Sequence, residues 1–134
     1  MTDDATMVSV SNDIDVVTAR RTGRELAARV GFTSRDLVLI ATAISEIARN
    51  TVRYAGHGQV TMTAVTNGRR RGITVVVRDA GPGIEDIEQA MRDGFSTGKS
   101  LGLGLPGARR LMDDFEVVSA AGQGTTVTMS KWLR

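Results

Sequence analysis

The chain contains no cysteine, which excludes disulfide bonds and metal sites built from thiolates. Its single histidine, His57, lies between Gly56 and Gly58, and we interpret it as a loop residue because a histidine-based metal site would need partners of the same kind. The aromatic residues are three Phe, one Tyr and one Trp, too few to predict a base-stacking platform for nucleic acid. The chemistry of this chain must therefore come from other residue types.

Long apolar segments are also missing. Residues 1–10 include acidic side chains and lack the apolar core of a signal peptide. No segment approaches the roughly 20 apolar residues that a membrane-spanning helix needs. We therefore predict a cytoplasmic protein that does not associate with a membrane.

A strong charge of one sign is missing as well, since the formal net charge is +2, although the sequence pI is near 9.7. Lys and Arg are scattered, whereas a nucleic-acid binder usually concentrates them on one face. The exception is the run Arg69-Arg70-Arg71, which follows Asn67-Gly68 between two strand-like segments. We interpret this run as a solvated hairpin turn and expect no nucleic-acid partner.

The length of 134 residues predicts one domain, residues 1–134, that can bury a single core. The predicted helices run from Asn12 or Asp13 to Val30, from Thr33 or Ser34 to Tyr54, and from Gly102 to Asp114, with a short helical stretch at Asp86–Arg92. The predicted strands are Met7–Val10, Gln59–Thr66, Ile73–Arg78, Phe115–Ala120 and Thr125–Trp132. This order predicts an α/β two-layer sandwich, in which helices cover one face of a mixed, mostly antiparallel sheet.

Two local signals support these elements. The first helix has small and apolar residues at helical spacing and is followed by Gly31, which is typical of a left-handed C-terminal residue. The residues of this stripe are Val16, Ala19, Gly23, Leu26, Ala27 and Val30. The β-branched run Val75-Val76-Val77 favours a central strand.

The second predicted helix carries two polar residues, Glu46 and Asn50, four positions apart and therefore neighbours on one helix face. A carboxylate can accept a proton from an attacking hydroxyl, and an amide oxygen suits a magnesium ion that also binds phosphate. Glu-x-x-x-Asn is common by chance, however, and the same pair would also fit an ordinary solvated face.

Two glycine-rich segments follow. In Asp79-Ala-Gly81-Pro-Gly83, the aspartate stands at the end of a strand and can accept a hydrogen bond from an exocyclic amine such as that of adenine. The glycines permit unusual backbone angles and close approach of a planar ligand, although a strand-terminating turn has the same composition. The second segment, Gly102-Leu-Gly104, opens a helix whose amides favour phosphate. It is neither a Walker loop nor a Rossmann turn.

The order of these segments suits a nucleotide. A helix face offers Glu46 and Asn50, a strand end offers Asp79, and a loop ends in glycines at a helix start. We therefore expect an ATP site with magnesium, and phosphoryl transfer is the first reaction to consider. In this hypothesis Asp79 contacts adenine, Asn50 holds the metal, and Phe95–Gly104 forms a lid over the phosphates.

At these residues the chain resembles the GHKL ATPase superfamily, whose ATP site is the Bergerat fold. The matching positions are Glu46 and Asn50 of the N box, Asp79, Gly81 and Gly83 of the G1 box, Gly102 and Gly104 of the G2 box, and Gly122-Gln123-Gly124-Thr125 of the last glycine–threonine segment. The resemblance spans nearly the whole chain, which argues against the larger histidine kinases, gyrases, MutL and Hsp90-type members. It implies ATP and magnesium as ligands and Thr125 as a further residue of the nucleotide site.

Within the superfamily the chain is most similar to small bacterial switch serine kinases of the stressosome, the RsbT type. Strings that support this include Gly104-Leu-Pro-Gly107 and the ending Lys131-Trp-Leu-Arg134, which the related anti-sigma kinases usually lack. The resemblance implies phosphorylation of a STAS-domain antagonist or scaffold protein of the RsbS or RsbR type. It also implies that the released kinase activates a PP2C-type phosphatase of the RsbU type.

Some alternatives stay open. The G2 box of the superfamily often has more glycines, whereas here Gly98-Lys99-Ser100-Leu101 precedes Gly102; Lys99 and Ser100 are candidate phosphate contacts, and Lys99 fits a solvated lid residue equally well. The chain could also be an anti-sigma kinase that binds an RNA polymerase sigma factor, or a binding module whose shape is set by a nucleotide.

Overall fold

The computed structural model describes residues 5–84, 91 and 104–134. In this part of the chain, the helices are α1 (Asp13–Val30), α2 (Ser34–Ala55) and α3 (Gly104–Leu111). The strands are β1 (Thr6–Val10), β2 (Gly58–Asn67), β3 (Arg70–Asp79), β4 (Asp114–Ser119) and β5 (Thr125–Trp132). Of the predicted stretch Asp86–Arg92 only residue 91 is described, and most of the predicted lid lies outside the described residues.

The five strands form one sheet in the order β1-β2-β3-β5-β4, and all four pairings are antiparallel. The strand β3 is central, as its Val75-Val76-Val77 run predicts. Val75 and Val77 are buried, and Val77 lies between Val60 of β2 and Val127 of β5. The buried residues of neighbouring strands share a face because side chains alternate across a sheet. The predicted two-layer class is confirmed, with a sheet that is antiparallel throughout its described strands.

Helices α1 and α2 pack on that buried face and against each other. The predicted stripe of α1 is confirmed, since all six of its residues are buried. The Asn12 side chain caps the helix by accepting a 2.9 Å hydrogen bond from the Asp15 amide, and Gly31 ends it with φ +122°. Gly23, which belongs to the same buried stripe, has no room for a side chain, because an added Cβ would collide with the Ile44 side chain of α2.

Helix α2 supplies the centre of the core through Ile40, Ile44 and Ile47, each at most 1% exposed. It begins at Ser34 after Thr33, whose side chain makes no capping hydrogen bond, and it ends at Gly56 with φ +86°. Burial of these large side chains, at about 25 cal/mol per Å² of apolar surface, therefore outweighs the missing cap in fixing the helix. None of the described helices is long and apolar enough to cross a membrane.

Two predicted boundaries are wrong. The basic run is not a turn as a whole, because the turn is Gly68-Arg69 and the next two arginines belong to β3, where Arg70 stacks 4.4 Å from the Trp132 ring centroid. The third helix ends at Leu111 and not at Asp114, which already pairs with Ser130 in the sheet. In both cases pairing with a neighbouring strand extends the sheet beyond what the local composition indicates.

Candidate functional site

The predicted base and metal ligand lie in the C-terminal half of α2. Glu46 and Asn50 are both half-buried, one turn apart, next to the fully buried Ile47. This arrangement follows from the helical repeat, because the apolar stripe of α2 faces the sheet and leaves these two residues at the edge of the core. Glu46 and Asn50 are therefore neighbours on one face of α2, as their spacing predicts.

The Glu46 carboxylate has two partners. Its Oε1 lies 3.4 Å from Nη1 of Arg49, one turn along the helix. Its Oε2 accepts a hydrogen bond from the backbone N–H of Gly104 at 3.4 Å, across 58 residues of sequence. The Glu46 side chain is 12% exposed and the Arg49 side chain 44% exposed. Both bonds are long, so the carboxylate is oriented at the start of α3 without being fully neutralised.

The predicted adenine contact, Asp79, is the last residue of β3. Its Oδ1 accepts two backbone hydrogen bonds, from Gly81 at 2.9 Å and from Thr125 at 3.2 Å. The aspartate therefore closes the turn that follows β3 and ties that turn to the start of β5. Both bonds end on Oδ1, which therefore serves the turn. The other oxygen, Oδ2, can bind a ligand without disturbing these two bonds.

Protein atoms, rather than open space, surround the glycines of this turn. A Cβ added to Gly81 would lie 2.5 Å from the Cβ of Ala55, the last residue of α2. A Cβ added to Gly83, whose φ is +78°, would collide with the backbone oxygen of Ala120. The sequence predicts that these glycines make room for a ligand; in the structure their small size lets the turn pack between α2 and the β4–β5 turn.

Sequence reasoning missed Ser119, the last residue of β4. Its hydroxyl accepts a 2.8 Å hydrogen bond from the Ile84 amide and donates at 2.9 Å to the backbone oxygen of Gly124. Because its only hydrogen is used there, the 2.8 Å contact with Thr125 is a bond that the threonine hydroxyl donates. The role of Ser119 could have been inferred from the register of the β4–β5 hairpin, which places Ser119 opposite Thr125.

The G2 glycines are described only in part. Gly104 has φ +64°, and among the described residues a Cβ added there would meet the Pro106 ring, at 3.8 Å. Unlike at Gly81 and Gly83, this Cβ would collide with no atom of the described residues, and such freedom is what close approach of a phosphate requires. The predicted contacts Lys99, Ser100 and Gly102 lie outside the described residues.

The structure thus collects the described candidates into two groups along α2. Asp79, Gly81 and Thr125 lie beside Ala55 at the end of the helix, and Glu46 meets Gly104 nine residues earlier. At 1.5 Å per residue the groups are roughly 14 Å apart along the helix axis, with Asn50 between them. This separation matches the length scale of an extended nucleotide, with its base at one end and its phosphates at the other.

A groove of about 450 Å³ lies between the start of α1 and the end of α2, next to the Glu46 group. Val16, Val17 and Val52 form its apolar part. Its charged residues are Asp13, Arg49 and Arg53. Arg49 lines this groove and also pairs with Glu46, so one side chain belongs to both the groove and the site.

Residues 10–131 match the protein family described as the histidine kinase-like ATPase domain. The chain belongs to that family. The match includes every candidate residue of the site and confirms the superfamily that the N, G1 and G2 boxes indicate. The two groups of residues along α2 are thus parts of an ATPase domain.

Other members of the histidine kinase-like group are similar over most of the chain. It is 47% identical over 131 residues to the serine/threonine-protein kinase RsbT of Bacillus subtilis (strain 168), a match that covers 98% of both chains. It is 36% identical over 121 residues to an anti-sigma F factor of Thermoanaerobacter sp. (strain X514), covering 86% of this chain and 83% of the relative. The serine/threonine-protein kinase RsbT is the more similar of these two relatives.

Solved structures support the same fold. The structure of the RsbU and RsbW domains of Rv1364c from Mycobacterium tuberculosis matches 96% of this chain with a TM-score of 0.63 and 22% identity, over 33% of that longer chain. The mycobacterial sensor histidine kinase MprB matches with a TM-score of 0.57 and 15% identity, over 97% of both chains. At these identities the likeness concerns the fold alone.

Proposed function

We propose that the chain is an ATP-dependent protein-serine/threonine kinase of a bacterial partner-switching pathway. The observation that carries this proposal is the arrangement along α2, where Asp79 lies at one end of a nucleotide-sized span and Glu46 at the other. The 47% identity to a serine/threonine-protein kinase over 98% of the chain supports the same activity. All 134 residues form the kinase domain in this proposal, and the cytoplasm is its compartment.

At the adenine end, Asp79 binds the nucleotide base. Its Oδ1 already accepts two amides, and Oδ2 accepts the exocyclic amine. Thr125 supports this geometry from β5, because its amide holds the aspartate in place. Gly81 and Gly83 act indirectly, by letting the turn that carries the aspartate pack tightly against α2.

At the phosphate end, Asn50 is suited to a magnesium ion, because an amide oxygen is a hard, neutral ligand. No three His, Cys, Asp or Glu side chains cluster as a metal site within residues 5–84, 91 and 104–134. A magnesium ion held by the Asn50 amide oxygen would take its remaining ligands from water and phosphate. When bound, the ion would neutralise charge on the phosphates. Gly104, Gly102, Lys99 and Ser100 are the proposed protein contacts to those phosphates.

The transfer step uses Glu46. The acceptor oxygen of a serine or threonine attacks the γ-phosphorus, the bond between that phosphorus and the β–γ bridging oxygen breaks, and ADP leaves. The hydroxyl proton passes to the Glu46 carboxylate as the new oxygen–phosphorus bond forms. The half-buried position of Glu46, and its hydrogen bond from the first residue of α3, hold the carboxylate at the phosphate end.

The proposed substrate is a STAS-domain antagonist or scaffold protein of the RsbS or RsbR type, and the proposed second partner is a PP2C-type phosphatase of the RsbU type. The 36% identity to an anti-sigma F factor favours a second candidate function, in which the same domain binds an RNA polymerase sigma factor. Recovery of a phosphatase or of a sigma factor on the immobilised chain, with and without ATP, separates the two.

The test is transfer of labelled γ-phosphate to the STAS-domain protein encoded nearest to this chain. Glu46→Gln retains the shape of the side chain and removes the base, so we expect a rate lower by about 10²–10⁴ with unchanged ATP affinity. Glu25→Gln, the same change on an exposed position of α1, is the matched control and should have the wild-type rate. Wild-type transfer by Glu46→Gln would contradict the role of the carboxylate. Absence of transfer by the wild type would leave only the binding functions.

A further inference from the structure

Lys131 is a lysine in the protein core. It lies on β5 directly opposite Ile73 of β3, so its side chain is on the helix-covered face of the sheet. It is only 8% exposed, and its Nζ donates a 2.9 Å hydrogen bond to the backbone oxygen of Leu111. Leu111 is the last residue of α3, the helix that begins at the candidate site.

Stability alone does not explain a lysine at this position. A buried charge loses its hydration, and well-packed apolar residues in place of buried ionic groups are often neutral or stabilising. The C-terminal carbonyls of a helix, however, lack partners within the helix and carry its partial negative charge. The ammonium group of Lys131 satisfies one of these carbonyls and so holds the end of α3 at a defined place on the sheet.

The other end of α3 contacts the catalytic candidate. The helix is eight residues long, about 12 Å, and Leu105 and Ala108 anchor it in the core. Its first amide, that of Gly104, donates to Oε2 of Glu46. Such a short, packed helix moves as one body, so a shift at Leu111 changes the distance between the Gly104 amide and the Glu46 carboxylate.

The residues next to Lys131 hold the loop that follows α3. The Trp132 amide donates to Oδ2 of Asp113 and its indole N–H to Oδ2 of Asp114, both at 2.8 Å. Arg134 pairs with Oδ1 of Asp113 at 2.6 Å. These bonds connect β5 to the loop and to Asp114, the first residue of β4, whereas the Lys131 side chain bonds to the helix itself and so links β5 directly to α3.

We infer that Lys131 is a positioning residue for phosphoryl transfer, which sets the place of α3 and thereby aligns the Gly104 amide with Glu46. This inference rests on the proposed kinase function. It assigns a role to the lysine of the Lys131-Trp-Leu-Arg134 ending. No residue of this ending is a proposed contact of the nucleotide. The lysine contacts neither Glu46 nor the proposed phosphate position and acts only through the helix.

The test begins with Lys131→Met, which has a similar length but lacks the charge and the donor. We expect its thermal midpoint to equal or exceed that of the wild type, its KM for ATP to change little, and its kcat for transfer to the STAS-domain protein to fall by about 10- to 100-fold. Lys131→Arg retains a cation and donors and should stay within a few-fold of the wild-type kcat. A wild-type kcat in Lys131→Met would overturn the inference.

A double-mutant cycle with Glu46→Gln distinguishes positioning from general stability. If Lys131 acts by aligning Gly104 and Glu46, adding Lys131→Met to Glu46→Gln should cause no further loss of kcat. A purely structural role predicts that the two losses multiply, and that result would contradict the inference. If Lys131→Met does not fold, Lys131→Gln, which has a neutral donor on a shorter chain, takes its place in the cycle with the same expectations.

The amide signal of Gly104 in a nitrogen–proton NMR spectrum provides a readout that does not need kinase activity. We expect it to shift in Lys131→Met and in Glu46→Gln, because both change its hydrogen bond, and to stay near its wild-type position in Lys131→Arg. A Gly104 signal that Lys131→Met leaves unchanged would overturn the inference even if the wild type transfers no phosphate. Absence of transfer by the wild type, by contrast, would contradict only the proposed function.

Discussion

Arg53 shows how the surroundings of a single residue suggest a role that its type alone does not. It is exposed in the last turn of α2 and lines the groove beside Val16, Val17 and Val52. An exposed arginine there is favourable for the helix, because a cation stabilises the C-terminal end. The groove adds a second role, since Arg49 also lines it and pairs with the Glu46 carboxylate, the proposed base for the acceptor hydroxyl.

We predict that Arg53→Glu raises the KM for the protein substrate by about 3- to 10-fold and leaves the affinity for ATP unchanged. Reversing the charge would remove the attraction of the groove for acidic groups on the substrate. Steady-state transfer at varied substrate concentration, together with calorimetric ATP titration, measures both quantities. The matched control is Arg29→Glu, an exposed arginine in the last turn of α1, where the effect on the helix end is the same and the residue is not one of those that line this groove. Equal effects of the two variants would assign Arg53 to helix stability.

At the scale of the elements, the turn after β3 and the β4–β5 turn interlock. The Gly122 amide donates to the Pro82 oxygen, and Ser119 bonds to Ile84 on one side and to Gly124 on the other. Each turn therefore satisfies backbone groups of its neighbour. The strand end that carries Asp79 owes its geometry to this contact between turns.

Gly83→Ala should destabilise the fold by about 2–4 kcal/mol, whereas Gly122→Ala should cost about 1 kcal/mol. Both glycines have nearly the same positive φ, +78° and +77°, so an alanine suffers the same backbone strain. They differ in space, because a Cβ at Gly83 collides with the Ala120 oxygen, whereas one at Gly122 has no atom of the described residues within 4 Å. Urea unfolding of the two variants measures the difference. Equal losses would show that the turns do not pack as described.

At the scale of the whole molecule, the proposed site joins elements from both halves of the chain. Asp79 and Thr125 are 46 residues apart in sequence, and Glu46 and Gly104 are 58 apart. A ligand that binds between these groups contacts only the folded state and must therefore stabilise it.

We therefore predict that Mg-ATP at 100 times its Kd stabilises the wild type by about 2.7 kcal/mol and raises its thermal midpoint by roughly 10 °C. Asp79→Asn should fold with nearly wild-type stability but gain little from ATP. Asparagine retains an oxygen for the Gly81 and Thr125 amides and replaces the other oxygen with a donor, which repels the adenine amine. Thermal unfolding with and without Mg-ATP measures both effects. A full ATP shift in Asp79→Asn would contradict the adenine contact.

Much of the fold could be predicted from local patterns. The stripe of α1, the cap at Asn12, the stop at Gly31 and the central place of β3 all follow from periodicity and backbone preference, which act over a few residues. The boundaries that were wrong lie where strand pairing decides, since Arg70 pairs with Asn67 across the β2–β3 turn and Asp114 pairs with Ser130 of β5.

The sequence by itself determined the family and which residues are candidates for nucleotide chemistry, because Glu46, Asn50 and Asp79 were selected by residue type, spacing, predicted element and resemblance to the GHKL superfamily. Only the tertiary structure decided what surrounds them. Ser119 supports the turn, Gly104 meets Glu46, and Lys131 holds α3, each through contacts between residues far apart in the chain. Such contacts depend on how the sheet and helices pack in three dimensions, and no local pattern of hydrophobicity or turn chemistry contains that information.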